Sequence, residues 1–360
     1  MATNYLVLED GTVLEGEAFG FEKVNLGEVV FTTAMGGYQE NLTDPSYYGQ
    51  ILVSTYPLIG DYGIIDSANQ SDKVCVAGLV VREYCKDPSP MYGGTGIDEF
   101  LKEHKIPAIA GIDTRDIALR IRDNGTMRGA IVYDLSAVES VLADLRAMSV
   151  DERNFVADVS CKTAYTVDNG KDLTVGVIDC GLNNGIKANL SERYNLKVFP
   201  YDTPAQTIMD AGVDGVVIGN GPGNPAHPDI MNTVVKTVKD LASQTAILGI
   251  CFGSQIVALA LGGSTYKLKY GHRGGSQPVR CGNRIYITSQ NHGYAIDGAS
   301  LEGTGLVVDQ VNINDGAVEG TAHKTLPIMT SQYYPGVPSD CKDMPQLMER
   351  FINMVKEGKL

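Results

Sequence analysis

The hydrophobic pattern of this chain changes rhythm across residues 158–172. Before that stretch, short apolar runs alternate with turns and a few helical segments. Residues 5–8 and 13–16 flank Asp10-Gly11 and predict a β-hairpin. Further strands are expected over 28–33, 50–55 and 74–81, helices over 97–104 and from Asp113-Thr114 to about Arg122, then a strand over 129–133 and a helix over 137–148. After the break, strands and helices begin to alternate. Strands over 173–178, 196–199, 215–218 and 246–250 are separated by helices over 184–194 and 229–242, and a helix over 255–261 follows the last. That alternation predicts a doubly wound parallel sheet. Residues 264–332 read as short strands and turns, and a last helix is expected over 345–356.

The fold class is therefore α/β in two domains: a mixed α/β unit over 1–157, a polar linker over 158–172 containing Asp168-Asn169-Gly170, and a doubly wound domain over 173–360. A chain of 360 residues can bury two full cores. A formal net charge of −14 argues against a nucleic-acid or anionic-membrane surface. No apolar run approaches the roughly 20 residues of a membrane span, and Met1 to Glu9 lack the pattern of a secretory signal. The seven cysteines are odd in number, scattered and free of C-x-x-C pairs, which fits reduced thiols in a cytoplasmic protein and excludes a disulfide frame or zinc site.

Chemistry concentrates at Gly249-Ile250-Cys251-Phe252-Gly253-Ser254-Gln255. Cys251 stands between glycines where a buried strand turns into a helix, a position in which unpaired N–H groups favour a thiolate and can hold an oxyanion. A buried structural cysteine is the plainer alternative. Ser254 reads as the helix N-cap. The run Gly219-Asn220-Gly221-Pro222-Gly223 follows another strand and is either an ordinary loop or a backbone cradle for a negative oxygen; it lacks the Gly-Lys-Ser/Thr ending of a phosphate loop. Asn291-His292-Gly293-Tyr294 is either a hairpin turn with an exposed histidine or a substrate-contacting patch. His292 and His272 are the histidines closest in sequence to these loops.

Taken together, these residues resemble the small, glutaminase subunit of carbamoyl-phosphate synthase over nearly the full length. In the first half the resemblance rests on Gly27-Glu28-Val29-Val30-Phe31, Gly37-Tyr38-Gln39-Glu40, Thr43-Asp44-Pro45-Ser46-Tyr47, Thr55-Tyr56-Pro57, Val80-Val81-Arg82-Glu83 and Gly111-Ile112-Asp113-Thr114-Arg115. The second half resembles a flavodoxin-like class I glutamine amidotransferase domain. The resemblance implies a subunit that hydrolyses glutamine through a cysteine thioester. It implies delivery of the ammonia to a large subunit that uses ATP and magnesium to make carbamoyl phosphate, for arginine and pyrimidine biosynthesis. No cofactor or metal is expected in this chain. By motif match, Cys251 takes the nucleophile position, and the glutamine-contacting positions fall on Ser46, Gly221, Gly223, Phe252, Gln255, Asn291, Gly293 and Tyr294.

The acid–base pair departs from the family. Where the family reads Gln-Tyr-His-Pro-Glu, this chain reads Gln332-Tyr333-Tyr334-Pro335-Gly336. Tyr334 replaces the histidine base and Gly336 the carboxylate that orients it, while Ser254 replaces the histidine of the nucleophile motif. A phenol with a reference pKa near 10 is a poor base at neutral pH. Impaired glutamine hydrolysis is therefore expected. Two alternatives stand beside it: an active glutaminase with its base relocated to His292 or His272, and a non-catalytic glutamine-sensing or structural partner. A hydrolase acting on another amide fits less well with Gln255, Asn291 and the N-terminal domain.

Overall fold

A computed structural model describes residues 2–89, 94–334 and 345–357. The chain divides into two compact units, Met1–Val150 and Asp151–Leu360.

The strands of the first unit are β1 (Thr3–Leu8), β2 (Val13–Gly20), β3 (Asn25–Thr32), β4 (Gln50–Ser54), β5 (Leu58–Ile59), β6 (Gly78–Val80), β7 (Glu83–Tyr84), β8 (Pro107–Ala110) and β9 (Met127–Val132). All but β5 and β7 close into a barrel in the order β1-β2-β8-β6-β4-β3-β9. The expected hairpin forms, with Leu6 opposite Leu14 and Val7 opposite Val13. Strand alternation sorts the apolar residues into two layers. Leu6, Leu8, Val29, Ile51, Val53, Val80, Ile109 and Ile131 pack into one cluster drawn from strands all round the ring, as a filled lumen requires. Val30, Leu52, Leu79 and Ala108 face the other way, towards Leu42 of the helix Tyr38–Thr43 and Ile97 and Leu101 of the helix Ile97–Glu103. Asp113 caps the helix Thr114–Asn124, its side chain accepting from the N–H of Asp116 at 3.0 Å. The strand expected over 74–81 is shorter, because the N–H groups of Cys75 and Ala77 are taken by Leu42 and Gln50 carbonyls.

In the second unit the strands are β10 (Tyr165–Val167), β11 (Thr174–Asp179), β12 (Asn195–Pro200), β13 (Gly215–Ile218), β14 (Ala246–Ile250), β15 (Thr265–Cys281), β16 (Arg284–Ile296), β17 (Leu306–Asn312), β18 (Val318–His323) and β19 (Ile328–Ser331). They form one sheet in the order β10-β12-β11-β13-β14-β19-β18-β17-β15-β16. The stretch β12-β11-β13-β14-β19 is parallel throughout and has the flavodoxin-like order 2-1-3-4-5. Both faces are covered, which is why its strands read as continuous apolar runs. Val216 and Ile218 pack with Val234, Val238 and Ile256 on one side; Val217, Leu248 and Ile250 pack with Ile186, Leu190 and Phe351 on the other.

Three features differ from the sequence reading. Within 158–172, β10 adds antiparallel to β12, so part of that stretch belongs to the sheet. The region expected to hold short strands does so in β17, β18 and β19, but it opens with a ladder of two long strands, β15 and β16. Register shifts between Lys267 and His272 and between Gly274 and Gln277 act as bulges, which let β15 run on where a strict ladder would end. The helix expected over 229–242 contains a π turn, Met231–Val235, between α-helical segments Pro228–Ile230 and Lys236–Leu241.

Candidate functional site

β14 ends at Ile250, and the helix Phe252–Ala260 starts two residues later, leaving Cys251 alone at the turn with φ 54° and ψ −106°. A non-glycine residue in that conformation is strained, and such strain is typical of a nucleophile held on a strand-to-helix elbow. The flanking glycines are there for contact distance. A Cβ on Gly249 would fall 2.5 Å from the Gly253 carbonyl oxygen, and one on Gly253 would fall 2.2 Å from that of Ile218. The N–H of Gly253 donates to the Gly219 carbonyl at 3.0 Å, tying the elbow to the glycine turn after β13. Phe252 occupies the first helical position, where N–H groups have no partner within the helix. The helix therefore begins at Cys251, and Ser254 is not its cap. Ser254 lies inside the first turn, where its hydroxyl donates back to the Cys251 carbonyl at 2.7 Å.

The glycine turn presses against the end of β11. A Cβ on Gly221 would meet the Cys180 carbonyl oxygen at 2.5 Å, and Gly223, at φ +83°, would meet the Phe155 ring at 3.1 Å. Ser46, another expected contact residue, is buried in the first unit on the turn Pro45–Tyr47, its N–H donating to Asp44 Oδ1 at 2.9 Å.

β19 ends beside the elbow. The Cys251 N–H donates to the Ser331 carbonyl at 2.7 Å, which ties the end of β19 to the elbow. Gln332 is the residue that sequence reasoning passed over. Its Oε1 accepts from Ser254 Oγ at 3.2 Å and from Gln255 Nε2 at 3.0 Å, which couples the two strand ends. Its sequence signal was its place as the first residue of Gln332-Tyr333-Tyr334-Pro335-Gly336, which named no partner for it. Gln255 Nε2 also donates to the Tyr294 carbonyl at 2.7 Å. Tyr334 is half-buried, donates its N–H to the Ser289 carbonyl at 3.2 Å, and packs against the apolar cluster that includes Cys251. Gly336 lies outside the described residues.

Asn291, Gly293 and Tyr294 lie within β16, not at a hairpin turn. The Cys251 thiol donates to the Asn291 carbonyl at 3.5 Å, and the Tyr294 hydroxyl donates to Asp151 Oδ1 at 2.6 Å. The amide nitrogens of Asn291 and Gln332 are buried donors with no hydrogen-bond partner among the described residues.

His292 is buried, contrary to an exposed turn histidine. Its Nδ1 sits 2.8 Å from the Tyr294 carbonyl and its Nε2 2.8 Å from Gln290 Oε1. Burial drives its pKa well below the ordinary value, helped by the nearby cations of His272 and Arg273. The His272 ring meets the His292 ring edge-on at 4.9 Å between centroids. Burial opposes protonation of His272 too, but the carboxylates of Glu319 and Asp315, 3.5 and 2.9 Å from its ring nitrogens, outweigh it and raise the pKa. Glu319 is fully buried and accepts from Gln290 Nε2 and Asn312 Nδ2, each at 2.9 Å. The ligand atoms of His272, His292 and Glu319 lie within 4.8 Å of one another, and each side chain also has partners in the surrounding polar network.

Comparison with known proteins decides the family. Residues 6–131 match the family model of the carbamoyl-phosphate synthase small chain, CPSase domain, and residues 176–354 that of glutamine amidotransferase class-I. A carbamoyl phosphate synthase small chain of Methanopyrus kandleri is 44% identical over 360 residues, covering 98% of this chain and 99% of that one. The chain belongs to the carbamoyl-phosphate synthase small-chain family. Small chains of Archaeoglobus fulgidus, 44% identical over 98% of both chains, and of Caldanaerobacter subterraneus subsp. tengcongensis, 42% identical over 98% of this chain and 96% of that one, agree. The barrel thus corresponds to the small-chain CPSase domain and the flavodoxin-like sheet to the class I amidotransferase domain. Among the described residues no helix is long and apolar enough to cross a membrane.

Proposed function

We propose that this small chain binds L-glutamine at the Cys251 elbow but hydrolyses it poorly, and that it pairs with a carbamoyl-phosphate synthase large subunit, where ATP and magnesium act. The observation that carries the reading is the juxtaposition of two strand ends. The backbone bond from Cys251 to Ser331 ties the end of β19 to the elbow, and the side chain that follows, packed against the cluster that includes Cys251, is the phenol of Tyr334. Breaking the carbon–nitrogen bond of a glutamine amide needs a proton delivered to the departing ammonia, and hydrolysis of the thioester needs a base for water. A neutral phenol near pH 7 does neither well. Three contacts support the binding half of the reading: Gln255 and Gln332 are fixed to each other, the glycine turn is tied to the elbow, and the helix opens at Phe252 with N–H groups that could hold an oxyanion.

The geometry gives little support to a relocated base. The ring nitrogens of His292 face Tyr294 and Gln290, and those of His272 face Asp315 and Glu319. The test is carbamoyl phosphate formation by the chain reconstituted with a large subunit, with glutamine and then with ammonia as nitrogen source. Ammonia should support synthesis and glutamine should not. Steady-state ammonia release from glutamine at an ordinary glutaminase rate, abolished by Cys251→Ala, would refute the proposal. Saturable glutamine binding that stabilises the large subunit without turnover would point to a sensing or structural role.

A further inference from the structure

His272 on β15, His292 on β16 and Glu319 on β18 each offer a donor atom within 4.8 Å of the other two, and none is more than 6% exposed. The hydrogen bonds around His292 do not balance. Its Nδ1 lies 2.8 Å from the Tyr294 carbonyl and its Nε2 2.8 Å from Gln290 Oε1. The Gln290 amide is oriented by its other end, where Nε2 donates to Glu319 Oε2 at 2.9 Å and to Thr288 Oγ1 at 3.0 Å. Both groups that face the ring are therefore acceptors, and a neutral imidazole has one N–H for the two of them. Burial holds the ring neutral. With the proton on Nδ1, the Nε2 lone pair and Gln290 Oε1 face each other with nothing positive between them.

His272 repeats the arrangement. Its Nε2 lies 2.9 Å from Asp315 Oδ2, and its Nδ1 is turned to Glu319 Oε1 at 3.5 Å. The Asn312 amide stands 3.5 Å from the same nitrogen but donates to Glu319 Oε1 at 2.9 Å. Each histidine thus anchors one ring nitrogen on an outer oxygen, a carboxylate for His272 and a backbone carbonyl for His292. The other nitrogen of each is left on the side of Glu319 and Gln290. Anchoring of that kind is what fixes the tautomer and ring orientation of metal-bound histidines.

We propose that His272 Nδ1, His292 Nε2 and Glu319 Oε1, with Gln290 Oε1 beside them, bind a divalent transition-metal ion of the zinc class. Two imidazoles and a carboxylate favour zinc and its first-row neighbours over magnesium or calcium, which take oxygen ligands. Zinc ligands of this kind sit about 2.0–2.2 Å from the ion, so the donors draw inward around it. The ion supplies the positive charge missing between Nε2 and Gln290 Oε1. It also displaces the proton that the carboxylates favour on His272; without the ion, that proton takes its place opposite Glu319. Burial leaves no open position for a substrate, so the role is structural. The ladder pairs with β17 only through Val279–Cys281, and an ion shared by β15, β16 and β18 fastens its other half. The expectation of a metal-free chain missed this set because donors at 272, 292 and 319 share no short motif and meet only through the sheet.

The experiment titrates Zn²⁺ into the chelator-treated full chain by calorimetry and repeats the titration with Co²⁺ by visible absorption. The unmutated chain should take up one Zn²⁺. Bound Co²⁺ should show the d–d bands of nitrogen and oxygen ligands without thiolate charge-transfer bands, which separates this site from the cysteines. Asp315→Asn, which leaves every donor in place, should weaken Zn²⁺ binding by about 10- to 100-fold, and Glu319→Gln by more. Zn²⁺ should raise the melting temperature of the unmutated chain and leave that of Glu319→Gln unmoved. Circular dichroism in chelator establishes that each variant folds. Asp315 is partly exposed, so its variant and the unmutated chain decide the matter should Glu319→Gln fail to fold. Absence of saturable Zn²⁺ uptake by the unmutated chain, a cobalt spectrum of thiolate type, or an affinity untouched by Asp315→Asn would each overturn the proposal.

Discussion

Two neighbouring strand ends of the second unit make the most instructive comparison. β14 and β19 run parallel and paired, Ile250 opposite Ser331. The end of β14 keeps everything a nucleophile elbow needs: the strained Cys251, glycines on either side, and a helix opening behind it. The end of β19 is followed by Tyr334, at the position we propose corresponds to the base of an active glutaminase. The two ends differ in what enforces them. The elbow is built into the packing, because Gly249 and Gly253 let strand, helix and the neighbouring strand β13 approach within distances no side chain tolerates. An acid–base side chain at the β19 end serves only the reaction, and the sheet closes as well around a tyrosine. Scaffold and chemistry are thus separable over a few ångströms.

The sharpest test restores what the β19 end lacks. Tyr334→His combined with Gly336→Glu should raise glutamine hydrolysis about 10²- to 10⁴-fold, the usual worth of positioned acid–base catalysis. The readout is ammonia release by the chain in complex with a large subunit, and no gain would mean that the elbow itself is deficient. The converse breaks the scaffold: Gly253→Ala drives a methyl into the Ile218 carbonyl and should cost upwards of about 3 kcal/mol in urea unfolding. A variant of unchanged midpoint would show that the elbow is not set by packing.

A smaller effect is expected at the link between the two ends. Gln332→Leu leaves one N–H of Gln255 Nε2 without its buried acceptor, while Ser254 Oγ keeps the Cys251 carbonyl, at a cost of about 1–3 kcal/mol by denaturant midpoint. Neutrality would show that the strand ends are independent.

The smallest effect concerns pH. His272 has a raised pKa, so its contribution is complete below its ordinary value of 6.5 and fades as pH climbs through the raised one. His292 has a depressed pKa, so its penalty enters as pH falls below 6.5. Thermal melting across pH should therefore show the pair favouring the folded state most near 6.5. His272→Asn should flatten the alkaline side of the profile and, by removing the cation beside His292, soften the acidic side as well.

What the sequence disclosed followed the same division. The parallel strands were legible because burial on both faces makes them plain apolar runs, and the hairpin at Asp10-Gly11 and the Asp113 cap were legible from turn and capping chemistry. The long β15–β16 ladder was not. Its centre, Gly271-His272-Arg273-Gly274-Gly275 facing Gln290-Asn291-His292-Gly293, is rich in residues that are rare in strands and common in loops. It is held by cross-strand pairing and by a buried polar network that no local signal announces. Ser254 was read as a cap because apolar periodicity begins just after it, whereas this helix is buried on nearly every side from its first residue. Gln332 gained its role only when folding placed it beside Gln255, which precedes it by 77 positions.

The backbone at Cys251 has one more consequence. Holding a residue with a side chain at φ 54° and ψ −106° costs about 1–3 kcal/mol, a cost that glycine would not incur. Cys251→Gly would release that strain, but it would also empty the buried space of the thiol and add the unfolded-state entropy of glycine, so its melting temperature reads out which of the two is larger. A melting temperature that rises in Cys251→Gly would mean that the thiol is held at the elbow at the expense of the fold.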